Sequence, residues 1–117
     1  MPESKQYLPD VYQRIRERFP ELMERLDALG DAADSAGPLD DRARRLVKLG
    51  IAVGGLAEGA VRSNARRALE AGASADEVLH VAALAVSTRG LPAAVAAFSW
   101  IEEVLAARAV PGSDGSR

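Results

Sequence analysis

Glu58, Asn64, His80 and Arg45 are the side chains in this 117-residue sequence whose type and placement can do chemistry. Glu58 stands next to Gly59, whose missing side chain leaves room for a ligand, and a carboxylate there can act as a general acid or base. Arg62 lies four residues on, in the favourable order for a helix-surface ion pair, and competes for the same carboxylate. Asn64 can orient a substrate by hydrogen bonding, but an amide does not titrate near neutral pH and cannot serve as a base. His80 is the single histidine, and histidine is the side chain that ordinarily titrates near neutrality. On an apolar helix a lone histidine is more often a packed core or interface residue. Arg45 has the planar fork that binds a carboxylate, although its run, Arg42, Arg44, Arg45 and Lys48, has the composition of a solvated face.

Other chemistries are absent from the sequence. With no cysteine there is no thiolate nucleophile, disulfide, dithiol or iron–sulfur ligand set, and one histidine excludes a His-rich metal site within one subunit. No metal and no cofactor is expected. A formal net charge of −2 argues against a nucleic-acid binder, which needs a basic surface to displace counterions. "GGLAEG" lacks the lysine of a phosphate-binding loop. "MPESKQYLPD" has neither the basic start nor the apolar core of a signal peptide, and no apolar run is long enough to cross a bilayer. A cytoplasmic protein with no membrane partner is the expectation.

The elements that must hold these residues read as helical almost throughout, with no sustained period-two alternation. Pro9 and Asp10 mark a start for a first helix whose apolar spacing is Val11, Ile15 and Phe19. Pro20 opens a second, with Leu22, Leu26 and Leu29 expected inward and Gly37-Pro38 ending it. Asp40 is the candidate N-cap of a third, with Leu46, Leu49 and Val53 as its stripe and a break at Gly54-Gly55. "AEGAVRSNARRALEAG" is the fourth, closed by Gly72. Its helical spacing puts Ala57, Ala60, Asn64 and Ala68 on one line, a close-packing face with a single amide in it. A buried amide left without a partner costs about 1–3 kcal/mol, so Asn64 must bond a backbone carbonyl, a neighbouring subunit or a ligand.

Ser74 and Glu77 form a capping box for the fifth helix, which runs to about Thr88 and is apolar nearly all round. Gly90 ends it, and Pro92 sits in the first turn of a sixth helix reaching about Ala109. Phe98 and Trp100 are expected in the core or a subunit contact. The fold class is therefore all-α, about six helices, with residues 1–109 as a single domain and 110–117 as a polar, disordered tail. So small a domain, with alanine-rich faces and an all-round apolar helix, gains by sharing core between subunits, and a homo-oligomer is expected.

Three stretches, "LDDRARRLVKLGIAV", "EGAVRSNARRALEAGASADEV" and "GLPAAVAAFSWIEEVL", resemble the carboxymuconolactone decarboxylase family, which also holds the alkyl hydroperoxidase D-like proteins. The resemblance runs from about Leu39 to Leu105. It implies the alkyl hydroperoxidase D-like helical fold and a trimer or hexamer with sites near subunit contacts. Redox members of that family carry Cys-x-x-Cys-x-x-x-His where this sequence has Ala57, Ala60 and Asn64, with a glutamate where Arg45 stands. Decarboxylase members lack the cysteine pair but keep the histidine.

Dithiol peroxidase chemistry is thereby excluded. Two readings remain. In the first the chain is decarboxylase-like and acts on a small carboxylated or lactone-like substrate by acid/base chemistry. Glu58 or His80 then moves the proton, Asn64 orients the substrate and Arg45 binds its anion. In the second it is a non-catalytic oligomeric binding or structural protein on the same scaffold.

Overall fold

The computed structural model describes residues 3–109, with side chains from Asp10 onward; the tail expected at 110–117 lies outside the described residues. Six α-helices follow one another: α1 Glu3–Arg18, α2 Pro20–Ser35, α3 Asp41–Gly54, α4 Glu58–Glu70, α5 Ala75–Thr88 and α6 Leu91–Ala109. No strand occurs among the described residues, which agrees with the all-α expectation. None of the described helices is long and apolar enough to cross a membrane. The chain divides into two compact units at Pro38/Leu39.

The first unit is the α1–α2 pair. Helix α1 begins well before the expected start signal and runs through Pro9, which gives up one backbone donor there without ending the helix. The break comes at Phe19 instead, whose φ of −130° and ψ of 65° leave the helical region because the ring of Pro20 crowds it. Pro20 then opens α2 as expected. Arg16 on α1 reaches Asp27 on α2 at 2.5 Å and also bonds Tyr12. The expectation that Leu22, Leu26 and Leu29 face inward is overturned: they are 61%, 50% and 65% exposed, and Met23 is the buried side chain of α2. Spacing says which residues share a face; it does not supply the surface that covers the face.

The second unit holds α3 to α6. Helix α3 packs on α4 and α5 on α6, and the two pairs face each other through α3–α5 and α4–α6 contacts. Leu49, Val53, Val61, Val78, Ile101 and Val104 fill the centre, with alanines from α3 to α6 between them. Ala65, Ala68 and Ala82 are fully covered, so the helices approach closely around small side chains.

Helix ends in this unit follow local chemistry. Asp40 accepts from the Ala43 amide at 2.8 Å, and Ser74 and Glu77 close their reciprocal capping box. Gly72, with φ +103°, terminates α4. The amides of Gly72 and Ala73 bond back to the carbonyls of Leu69 and Ala68 in a Schellman arrangement. The end of α3 repeats that arrangement, Leu56 bonding Val53 and Ala57 bonding Ala52. Here the left-handed residue is Leu56, φ +53°, not one of the glycines before it.

Helices α3 and α5 run parallel and are tied at both ends. Arg42 bonds Glu77 near their starts, and Arg89 Nε donates to the Gly54 carbonyl at 3.0 Å where they finish. Each tie joins residues 35 apart in sequence, so the two helices keep one register along their whole length.

Candidate functional site

The α3–α4 corner delivers the candidate residues. Ala57 is the last residue of the corner and the N-cap of α4, with an extended backbone and no side chain to cap with. It therefore precedes the helix, so the expected line of helical residues begins at Ala60. Glu58 occupies the first turn, where a carboxylate complements the positive end of the helix dipole.

Glu58 and Arg62 form the anticipated pair, with Arg62 Nε donating to Glu58 Oε2 at 3.0 Å. The second partner of Arg62 had no local signal: its Nη2 donates to Glu103 Oε1, 41 residues away on α6, at 2.6 Å. The Arg62 side chain is only 12% exposed while both carboxylates are about half open to solvent. Burial pulls against the Arg62 charge, but the hydrogen bonds it donates to Glu103 and Glu58 more than offset it, and the guanidinium is held above its ordinary value. Glu58 is thus bound into a carboxylate–guanidinium–carboxylate bridge linking α4 to α6.

Asn64 is partly buried, and its Nδ2 donates to the Ala60 carbonyl one turn back at 2.9 Å. Arg45 is partly buried, with its Nε 3.6 Å from Asp41 on the same helix. Asp41 also accepts from Arg44 at 2.9 Å, so that one carboxylate serves two guanidiniums.

His80 is exposed on α5 and lines an open groove of about 500 Å3 between α3 and α5. Leu46, Val47, Gly50, Val81 and Leu84 supply its apolar walls, with Glu77 and Arg89 at its two ends. Hydrogen bonds from the Ser74 backbone and from Arg42 hold the Glu77 carboxyl below its ordinary value. Glu58, Asn64 and Arg45 are not among the residues that line this groove. No group of three or more metal-ligating side chains occurs among the described residues.

A family model for the carboxymuconolactone decarboxylase family matches residues 20–103, most of the chain. The chain belongs to that family. The match extends upstream of the stretches that carried the resemblance and takes in α2. The crystal structure of an apo carboxymuconolactone decarboxylase family protein from Legionella pneumophila is similar, with a TM-score of 0.73 and 25% sequence identity over 85% of this chain and 91% of that one. No curated protein gives a significant match.

Proposed function

We propose that this member of the carboxymuconolactone decarboxylase family is an oligomeric binding protein that works without the family's motif chemistry, residues 1–109 acting as one domain. The observation that carries the reading is the Asn64 Nδ2 bond to the Ala60 carbonyl, which spends an amide donor within its own helix. The neighbouring carboxylate, Glu58, is held by Arg62. Ala57 and Ala60 offer nothing that can attack or transfer a proton. The test is turnover of small carboxylated lactones by the purified protein and by Asn64→His. The expected result is no turnover by the natural chain. Turnover that disappears in Glu58→Gln overturns the reading.

A second reading keeps the acid/base enzyme, with Glu58 or His80 moving the proton, Asn64 orienting the substrate and Arg45 holding its anion. It is favoured by the exposure of His80 on the wall of an open groove large enough for a small molecule. This reading requires activity that falls in His80→Gln. Activity that is unchanged in both Glu58→Gln and His80→Gln removes it.

A further inference from the structure

We propose that the groove between α3 and α5 binds a free medium-chain fatty acid, its carboxylate on Arg89 and its chain laid along the apolar walls toward His80. The proposal names a ligand class for the binding-protein reading above and rests on it.

The two ends of the groove are electrostatically unequal. At one end the Glu77 carboxylate is spent. Its Oε1 accepts from the Ser74 amide at 2.9 Å and from Arg42 Nε at 3.3 Å, and its Oε2 is bound by Arg42 Nη2. At the other end α3 finishes, and its last four carbonyls already have donors. The amides of Gly55, Ala57 and Leu56 serve Ile51, Ala52 and Val53, and Arg89 Nε serves Gly54 at 3.0 Å. The negative pole of that helix is therefore met. The Arg89 side chain makes no other hydrogen bond and no ion pair among the described residues, so a guanidinium fixed by its Nε keeps both terminal nitrogens to offer. A planar fork in that state suits a carboxylate. Thr88 beside it donates its hydroxyl to the Leu84 carbonyl at 2.8 Å, which leaves Arg89 as the anchor.

Between the ends the groove is an apolar trough. Leu46, Val47, Val81 and Leu84 form its walls, and Val47 and Leu84 are 49% and 55% exposed. Arg89 lies nine residues past His80, a rise of about 13 Å along the helix, which matches an extended medium-length acyl chain. Gly50 keeps the trough clear. Glycine is a poorer choice than alanine inside a helix, and packing does not demand it here: a Cβ at Gly50 would meet Val81 Cγ1 at 3.8 Å, an ordinary contact. The missing side chain leaves space that a chain lying between α3 and α5 can fill. One surplus cation, an uncovered apolar trough and a neutralised far end fit a ligand with one anionic head and one apolar tail.

The test is isothermal titration calorimetry of decanoate, hexanoate and decylammonium into the full chain, for the natural protein, Arg89→Gln and Gly50→Leu, with circular dichroism and thermal melting to register the fold. The natural chain is expected to bind decanoate about tenfold or more tighter than decylammonium, and hexanoate more weakly than decanoate. Arg89→Gln is expected to raise the decanoate dissociation constant by about tenfold or more without weakening decylammonium. Gly50→Leu, which fills the trough, is expected to weaken decanoate by about tenfold or more. Decanoate bound equally by the natural chain and Arg89→Gln, or not bound by the natural chain at millimolar concentration, overturns the site. A stoichiometry that falls as the chain is concentrated puts a second copy in the groove and overturns it too. None of these results bears on turnover of carboxylated lactones, so this site and the reading above can fail separately.

Discussion

At the scale of single residues, the candidate site is governed by what each polar group is already bound to. Glu58 is half exposed and shares Arg62 with Glu103. A pair of that kind contributes little to stability, so Glu58→Gln should shift the unfolding free energy by no more than about 1 kcal/mol, measured by urea denaturation. This near-neutrality makes Glu58→Gln a clean probe of chemistry. Glu77 has a different signature. Its folded-state carboxyl is held below the ordinary value by the Ser74 backbone and Arg42. A carboxyl depressed on folding stabilises above its unfolded value and loses that contribution as pH falls through the folded one. Melting temperature should therefore drop as pH is lowered from about 4.5 downward, and Glu77→Gln should flatten that drop.

Glu58 with Arg62, and Ser74 with Glu77, were legible in the sequence because each pair lies within one helical turn. The Arg62–Glu103 and Arg42–Glu77 bonds were not, since they join residues 41 and 35 apart and exist only once the helices have packed.

At the scale of elements, helix ends were more readable than helix faces. Asp40, Ser74, Gly72 and Gly90 act through atoms within a few residues of themselves, and each does what its type predicts. The leucines of α2 share a face as predicted, but nothing in their spacing says what lies opposite. Pro9 read as a start signal and instead sits inside α1.

The two Schellman ends allow a paired prediction. Gly72 has φ +103°, so Gly72→Ala should cost about 1–2 kcal/mol. Leu56 holds φ +53° with a side chain, a strain of about 1–2 kcal/mol. Replacing it by glycine relieves that strain but adds about 0.5–1 kcal/mol of unfolded-chain entropy. Leu56→Gly should therefore change stability by no more than about 1.5 kcal/mol, and thermal denaturation should show it better tolerated than Gly72→Ala. Leu56 stands at the corner that sets Ala57 and Glu58, so the same variant reports how tightly that corner is held.

At the scale of the whole molecule, the second unit is built from alanine-lined helices around a few large side chains. Leu49 is fully covered at its centre, and Leu49→Ala should cost about 2–5 kcal/mol by denaturant unfolding. Composition announced this construction, as alanine supplies much of the apolar content, and it announced the loss of thiol chemistry outright. A backbone carbonyl was among the partners expected for Asn64, but which one depended on the rotamer the packed helix permits, and it is that of Ala60. The family's helical scaffold is retained here in a sequence that carries no cysteine.

The most direct test of that account is turnover of a small carboxylated lactone by the natural protein beside Glu58→Gln at equal concentration, with product measured against buffer alone. The account predicts that neither protein exceeds buffer. Turnover by the natural protein that is lost in Glu58→Gln would contradict it.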